Sequence, residues 1–236
     1  MKVVILCGGL GSRLSEETKI KPKPLVEIGN KPILWHIMKY YKSFNINNFV
    51  LALGYKGKMI EEYFKKNNKE NFNIQFVKTG LKSQTGSRLL KLKKKLVEEE
   101  NFMLTYGDGL CNVNINQLLR SHIKEKPFIT VTAVNPPLRF GELKIKKKKV
   151  KEFKEKSKTK TNWISGGFFV FNKKIFNHIP SGNNTVLEEK TFTNMVKKNK
   201  FNAFKHRDFW QCMDTMREKK ILNELWKKKK APWKNW

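Results

Sequence analysis

The stretch "KVVILCGGLGSRL" at residues 2–14 decides the fold expected of this chain. The apolar run Val3–Leu6 is followed by Cys7, three closely spaced glycines and Arg13. The apolar run predicts a buried strand. The glycines after it indicate a turn whose backbone bends sharply or approaches a ligand closely. Bare amide N–H groups beside a guanidinium suit an anion such as phosphate.

Two well-known glycine loops do not match this turn. The dinucleotide fingerprint G-x-G-x-x-G needs a third glycine where Leu14 stands, and no acidic residue ends the next predicted strand at 48–54. A Walker A loop needs a G-K-[ST] sequence that does not follow here. The loop by itself leaves two interpretations open, a phosphate-binding turn and a glycine-rich turn without a ligand.

Segments typical of strands and helices alternate through the first half of the chain. Predicted strands lie at 2–7, 48–54, 72–79, 101–106 and 128–134, and predicted helices at 33–44, 58–66, 88–100 and 115–123, with a polar loop at 80–87. The second half predicts a hairpin at 141–156, strands at 166–172 and 201–210, and helices at 185–199 and after residue 211. Repeated strand–helix–strand units predict an α/β fold, a single-domain Rossmann-like mixed sheet, mainly parallel, with helices on both faces. Ligands of such sheets bind at the carboxyl ends of the strands.

The positive charge comes almost entirely from lysine and is spread along the chain. Lys and Arg number 50 against 20 Asp and Glu, which gives a net charge of +30. Arginine, the better reader of phosphates and bases, is scattered at 13, 88, 120, 139, 207 and 217. We therefore expect no nucleic-acid partner. The charge still helps to attract small anionic molecules.

The hydropathy and cysteine patterns exclude several classes of protein. No apolar stretch approaches the roughly 20 residues of a membrane span, and the first apolar run is too short for a signal peptide. We expect a cytoplasmic protein with no membrane partner. Cys7, Cys111 and Cys212 are widely spaced and show no CxxC pair, which predicts free thiols instead of a zinc site or a disulfide framework.

Further motifs lie downstream of the glycine loop. They are "KPKPLVEIGNKPILWHIM" at 21–38, "QTGSRL" at 84–89, "FMLTYGDG" at 102–109, "RFGEL" at 139–143, "EK" at 155–156, "SGGFFVFN" at 165–172, "FWQCMDTMRE" at 209–218 and "LWKKKKAPWKNW" at 225–236. With the glycine loop, they make the chain resemble the sugar-1-phosphate nucleotidyltransferases over almost its whole length. Within that family it resembles the cytidylyl branch.

The resemblance implies a reaction, a cofactor and partners. A phosphate oxygen of glucose 1-phosphate attacks the α-phosphorus of CTP and pyrophosphate leaves. The expected cofactor is Mg²⁺ and the expected partners are CTP and a sugar 1-phosphate, in a homo-oligomer that makes activated sugars for surface polysaccharides. Residues 1–236 form a single nucleotidyltransferase domain, with a nucleotide-binding half at 1–135 and a sugar-binding half with the C-terminal helix at 136–236.

The same resemblance implies the site residues. Asp108 and Asp214 are the expected metal ligands, two hard carboxylates from distant loops that converge on one Mg²⁺. Arg13 and Lys23 are the expected catalytic cations, with Lys23 aimed by the prolines around it. Arg88 is expected to donate to O2 and N3 of cytosine. The full nucleotide set is Leu6, Gly8, Gly9, Gly11, Ser12, Arg13, Lys23, Thr85, Gly86, Arg88 and Asp108, and the sugar-phosphate set is Gly107, Gly141, Glu142, Glu155, Lys156 and Gly166.

Two alternatives to this function remain at this point. One is a related nucleotidyltransferase that uses another nucleoside triphosphate or sugar phosphate. The other is a non-catalytic basic protein that binds nucleotides or nucleic acid. The segment between Phe64 and Phe72 is shorter than in the cytidylyl branch, and this bears on the assembly and specificity. Trp210 is a further candidate for the sugar pocket because it is close to Asp214 in the sequence.

Overall fold

The computed structural model describes residues 1–136, 142–154 and 163–236. Its strands are, in chain order, β1 (Lys2–Cys7), β2 (Glu27–Ile28), β3 (Lys31–Pro32), β4 (Asn48–Leu53), β5 (Asn73–Lys78), β6 (Asn101–Tyr106), β7 (Gly109–Cys111), β8 (Ile129–Val134), β9 (Glu142–Lys146), β10 (Lys149–Lys154), β11 (Ile164–Asn172), β12 (Phe201–His206) and β13 (Trp210–Cys212). The predicted strands are therefore all present, with four short additions, β2, β3, β7 and β13, of which β7 and β13 bear on the site.

The helices lie between these strands. They are α1 (Ser15–Thr18), α2 (Ile33–Lys42), α3 (Gly57–Asn67), α4 (Thr85–Lys91), α5 (Lys93–Leu96), α6 (Ile115–Glu125), α7 (Phe192–Lys197) and α8 (Met216–Lys227). Short 3₁₀ turns occur at Ser12–Leu14, Lys23–Leu25 and Lys173–Asn177, and a π-helical turn at Leu187–Thr191 leads into α7. Within the described ranges, every helix is too short or too polar to cross a membrane.

Seven strands form one mixed sheet in the order β12-β8-β11-β6-β1-β4-β5. β1 pairs in parallel with both β4 and β6, β4 with β5, and β8 with β12. β11 runs antiparallel to both of its neighbours, β6 and β8. The predicted mixed, mainly parallel sheet is therefore confirmed. Strands from both halves of the chain contribute to it.

Alternate residues of β1 supply the two layers of the core. Val3 and Ile5 belong to the cluster that includes residues of α2, whereas Val4 and Leu6 belong to the cluster that includes residues of α4 and α7. Successive side chains of a strand point to opposite faces, and helices cover both faces of this sheet. That geometry explains why the whole run is apolar. β1 is consequently fixed in the middle of the molecule.

The predicted helix at 88–100 differs from the structure. α4 already begins at Thr85, inside the predicted polar loop, and the helix is interrupted at Leu92 before the short α5. The N–H groups of Gly86 and Ser87 both donate to the carbonyl of Thr185. This contact with the distant Thr185 fixes the first turn of α4. The local sequence around Thr85 does not predict it.

The predicted lysine-rich hairpin is confirmed as β9 and β10. Ile145 pairs with Val150 and Leu143 with Phe153. All four apolar side chains are exposed. The residues that alternate with these apolar side chains are mostly lysine. Lysine on an exposed strand commonly prevents the strand from pairing with another copy.

Two histidines are buried in the helical layers. His36 on α2 lies edge-on to the rings of Trp35 and Trp226. His122 on α6 shares a hydrogen bond of 2.8 Å with the hydroxyl of Thr130. Burial lowers the pKa of each imidazole to about 4, because a charged ring loses its hydration there. The fold therefore requires both rings to be neutral.

We expect the free energy of unfolding to fall as the pH drops from about 6.5 to 4. In that window the unfolded chain protonates His36 and His122, whereas the folded chain does not. With the folded pKa values near 4, each ring contributes up to about 3 kcal/mol of this loss. Urea unfolding between pH 4 and 8 measures the change, and proton NMR of the rings assigns it. Rings that titrate near 6.5 in the folded protein would contradict the prediction.

Candidate active site

Asp108 and Asp214 come from distant parts of the chain and meet through the two short strands β7 and β13. These strands pair antiparallel, with Gly109 opposite Cys212. The N–H of Met213 then donates to the carbonyl of Asp108 at 2.8 Å. One residue precedes β7 and the other follows β13, so this pairing brings both aspartates to the same end of the ladder. The predicted convergence of the two carboxylates is present.

The ammonium of Lys23 lies between the two carboxylates. Lys23 Nζ donates to Asp108 Oδ2 and to Asp214 Oδ1, each at 2.6 Å. The two oxygens are therefore separated by at most twice that distance. The Lys23 side chain is only 11% exposed, so the shared cation is held in a site with limited access to water.

Arg13 adds a second cation at the same point. Its NH1 lies 2.8 Å from Asp214 Oδ2, and its side chain is 70% exposed. Burial alone would lower the pKa of Lys23, but Asp108 and Asp214 more than offset this and raise it. Burial alone would raise the pKa of Asp214, but Lys23 and Arg13 hold it below its usual value. Both groups are therefore charged at neutral pH.

The backbone around Lys23 explains how its side chain reaches the site. Pro22 is extended, with ψ of 148°, and the 3₁₀ turn Lys23–Leu25 follows at once. Pro22 disfavours a helix through the residue before it and Pro24 fixes the next φ angle. The turn packs Pro24 and Leu25 into the core together with the stem of Lys23. The lysine is thereby oriented by a rigid local segment.

The donor set at this point suits a hard divalent cation. Carboxylate oxygens of Asp108 and Asp214 are the ligand type that Mg²⁺ prefers, and Lys23 occupies the position between them. A nearby group, Cys212 with Asp214 and Glu218, also brings three possible ligand atoms together. The Glu218 carboxylate, however, accepts from the N–H groups of Asp214 and Thr215 as the capping box of α8. We therefore assign Glu218 to the helix cap and consider the Asp108–Asp214 pair the better candidate.

A first cavity of about 280 Å³ opens at the carboxyl ends of β1 and β6. It is lined by Leu6, Cys7, Gly8, Gly9, Gly11, Ser12, Arg13, Lys23, Pro24, Ser83, Gln84, Thr85, Arg88, Tyr106, Gly107 and Asp108. A Cβ atom built on Gly9 would meet no atom within 4 Å, so this stretch of backbone faces open space. Gly11 has φ of +68°, the left-handed region that favours glycine. The glycine loop therefore forms one wall of the cavity.

Arg88 differs from the expectation that it reads cytosine. Its guanidinium is buried and donates to the Gly8 carbonyl at 3.0 Å, the Gly80 carbonyl at 2.8 Å and the Thr79 hydroxyl at 2.6 Å. A Cβ on Gly8 would lie 2.2 Å from Arg88 Cζ. Gly8 is thus required by the close approach of Arg88. Arg88 in turn supports the glycine loop from behind.

Other predicted residues fall in different places. Gly86 faces the Thr185 backbone, since a Cβ on Gly86 would lie 2.9 Å from the Thr185 carbonyl oxygen, and it does not line the described first cavity. The expectation that Gly86 contacts the base is therefore not supported. Gly107, predicted on the sugar side, lines the first cavity instead. Gly141, Glu155 and Lys156, with the side chain of Glu142, lie outside the described residues.

A second cavity of about 290 Å³ lies on the other side of the aspartates. Its lining includes Gly166, as predicted for the sugar side, and Trp210, whose indole N–H donates to the Gly166 carbonyl at 2.7 Å. Arg13, Tyr106 and Asp108 line both cavities. The two spaces therefore meet beside the lysine and the two carboxylates.

Tyr106 is a site residue that the sequence reasoning missed. It is the last residue of β6, directly before Gly107 and Asp108. An aromatic residue at the end of an apolar strand is ordinarily assigned to the core, so nothing in its own position selects it. The one signal in the sequence that could have identified Tyr106 is its position between the predicted strand and the "GDG" turn.

Comparisons with known proteins give consistent results. The family model described as nucleotidyl transferase matches residues 2–218. The chain is 42% identical to glucose-1-phosphate cytidylyltransferase of Salmonella typhimurium, over the whole of both chains. It is 35% identical to D-glycero-alpha-D-manno-heptose 1-phosphate guanylyltransferase of Aneurinibacillus thermoaerophilus, over 75% of this chain and 76% of that one. The solved structure of HddC from Yersinia pseudotuberculosis superimposes with a TM-score of 0.75 at 25% identity, covering 95% of this chain and 99% of that chain.

We expect the substitution Lys23→Met to strengthen Mn²⁺ binding in the absence of nucleotide. The ammonium competes for the oxygens of Asp108 and Asp214, and removing it leaves two negative charges available to the ion. The gain should be about tenfold in affinity, comparable to one charge-assisted hydrogen bond at a partly exposed site. Electron paramagnetic resonance of free Mn²⁺ measures it.

The matched control is Lys39→Met, whose ammonium pairs with Glu70 away from the aspartates. This variant should bind Mn²⁺ as the unaltered protein does. Mn²⁺ affinity that is unchanged or weaker in Lys23→Met would show that the lysine and the metal do not compete for the two carboxylates.

Proposed function

This chain belongs to the nucleotidyl transferase family, and from that premise we propose that it transfers the cytidylyl group of CTP to α-D-glucose 1-phosphate, giving CDP-glucose and pyrophosphate. The family model covers residues 2–218. The choice of CTP and glucose 1-phosphate is supported by the 42% identity to the Salmonella cytidylyltransferase along the full length of both chains. The similarity to the guanylyltransferase is lower and covers three quarters of the chain.

The observation that carries the proposal is the meeting of two cavities at one cluster of charges. Transfer between two phosphate-bearing substrates needs adjoining spaces with the reacting atoms at their junction. Asp108 and Arg13 line both spaces, and Lys23 and Asp214 lie in contact with them. This arrangement supports a site for two anionic substrates, with cations placed where their phosphates approach each other.

The proposed chemistry is one displacement at phosphorus. A phosphate oxygen of glucose 1-phosphate forms a bond to the α-phosphorus of CTP. The bond from that phosphorus to the oxygen bridging to the β-phosphate breaks, and pyrophosphate leaves with the electron pair. Such transfers depend on positioning and charge neutralisation more than on a protein nucleophile. The cluster offers these two contributions.

The nucleotide fits the first cavity in this proposal. The exposed backbone at Gly9 and the left-handed turn at Gly11 offer N–H groups to the triphosphate. Arg13 and Lys23 supply positive charge from one side of the same space. Arg88 contributes indirectly, by holding the Gly8 carbonyl and so the shape of the loop.

Mg²⁺ is the cofactor we propose for this site. Asp108 and Asp214 would hold it, and when bound it would neutralise phosphate charge and orient the triphosphate. Lys23 would leave its place between the carboxylates, and its four-carbon stem allows the ammonium to turn toward phosphate oxygens. Arg13 would remain at the rim, where its exposed side chain can follow the substrate.

The sugar phosphate fits the second cavity. Gly166 leaves no room for a side chain, since a Cβ there would lie 2.8 Å from Val134 Cγ1. Its carbonyl is already held by Trp210. The lining of this space therefore includes the Gly166 backbone and the Trp210 side chain, which we propose contact the sugar.

We expect Lys23→Ala to lower kcat by on the order of 10²–10³, the effect typical of removing one preorganised donor that stabilises developing charge. Pyrophosphate release with CTP and glucose 1-phosphate measures the rate. The matched control is Lys21→Ala. Lys21 lies in the same proline segment but approaches Glu17 and Glu27, at 3.9 and 3.8 Å. Near-normal turnover of Lys23→Ala would remove Lys23 from the reaction.

The substrate assignment is tested by a panel. Pyrophosphate release is measured with CTP, UTP, dTTP and GTP, each against glucose, mannose and heptose 1-phosphates. We expect the highest kcat/KM for CTP with glucose 1-phosphate. A higher value for another pair would assign that pair instead. No metal-dependent turnover with any pair, together with salt-sensitive binding of RNA or DNA, would favour a basic binding protein.

A further inference from the structure

The carboxylate of Glu188, which lines neither of the described cavities, forms hydrogen bonds with two residues that do. Glu188 accepts a hydrogen bond of 2.6 Å from the hydroxyl of Thr85, and it also accepts from the hydroxyl of Tyr106. Thr85 lines the first cavity and Tyr106 lines both. Glu188 is itself absent from the described lining of either space. It therefore touches the walls of the site without facing a substrate.

The local backbone presents Glu188 to both hydroxyls at once. It belongs to the π-helical turn Leu187–Thr191, a wide turn that occurs rarely and often near functional sites. The N–H of Leu187 donates to the Thr85 hydroxyl at 2.9 Å, so the turn and the start of α4 are bound together. Thr185, just before the turn, accepts from Gly86 and Ser87 at the start of α4. These contacts hold the backbone that carries Glu188 close to the start of α4.

The ring of Tyr106 is held at its other end by a glycine. Gly167 has φ of +77°, and a Cβ there would lie 2.7 Å from Tyr106 Cδ2. Gly167 therefore allows the ring to approach the backbone of β11 closely. At the far end of the ring, the Tyr106 hydroxyl donates to the Glu188 carboxylate. The ring has a fixed face and a fixed hydroxyl at the junction of the two cavities.

We infer that Glu188 is a positioning residue, which holds Tyr106 as the wall shared by the bound nucleotide and the bound sugar phosphate and holds Thr85 on the nucleotide side of that wall. This inference rests on the proposed function and adds a residue to it. Without the carboxylate, the Tyr106 ring can turn about its side-chain bonds and both spaces lose a common wall. Misplacement of reacting groups by about 1 Å costs up to roughly 10²-fold in rate.

The test compares two neighbouring glutamates. We expect Glu188→Ala to raise KM for both CTP and glucose 1-phosphate and to lower kcat/KM by roughly tenfold to a hundredfold. Glu188→Gln, which keeps an oxygen that can accept from a hydroxyl, should recover most of this loss. Glu189→Ala is the control, because Glu189 is an exposed carboxylate on the same π-helical turn. It should behave as the unaltered protein does.

Tyr106→Phe provides the second arm. It removes the hydroxyl and leaves the ring, so its kinetic loss should resemble that of Glu188→Ala. The double variant should be no worse than Glu188→Ala, because Glu188→Ala has already broken the hydrogen bond that Tyr106→Phe removes. Additive losses would overturn the inference. So would a fall in the melting temperature of Glu188→Ala with both KM values unchanged, since that result would make the carboxylate purely structural.

The unaltered protein separates the two possible failures. If it gives no CDP-glucose, the proposed function is wrong. If it is active while Glu188→Ala matches Glu189→Ala, the proposed function stands and the inference about Glu188 is wrong.

Discussion

The Lys23 ammonium is the interaction on which the rest of the site depends. The β7–β13 ladder brings Asp108 and Asp214 together, and two partly buried carboxylates at that separation repel each other. A shared lysine offsets part of this repulsion without a ligand, Arg13 adds a second positive charge at Asp214, and the two lysine hydrogen bonds direct both oxygens to one place. The site is therefore assembled in the free protein. A binding cation would replace an existing charge and would not have to gather scattered ligands.

The sheet could be predicted from the sequence because its central strands are short, continuous apolar runs. Val3–Leu6 is apolar at every position, and only a strand covered on both faces explains such a run. The region from Thr85 to Leu96 could not be predicted equally well. Its start is set by hydrogen bonds that Gly86 and Ser87 donate to the carbonyl of Thr185, nearly a hundred residues away. The π-helical turn at Leu187–Thr191 has the same origin, since its sequence is that of an ordinary helix.

The candidate site likewise contains residues that the sequence identifies and residues whose role depends on tertiary contacts. Asp108 and Asp214 could be named because they stand in short motifs, and they meet in the structure, while their role as metal ligands stays a prediction. The expectation that Arg88 donates to cytosine comes from the family resemblance of its motif, "QTGSRL" at 84–89. The structure engages it with backbone carbonyls instead. Whether a guanidinium is free or already bonded depends on tertiary contacts, and a sequence does not list them.

Gly8, Gly54 and Arg88 share one small volume. A Cβ on Gly54 would lie 2.6 Å from the Arg88 guanidinium, and one on Gly8 would lie closer still. A side chain at Gly8 would displace the Arg88 guanidinium, and one at Gly54 would also meet the Gly8 carbonyl oxygen at 2.7 Å. Loss of the arginine would leave the carbonyls of Gly8 and Gly80 without this donor. The three positions therefore constrain one another during evolution. Related sequences that keep the arginine should keep both glycines as well.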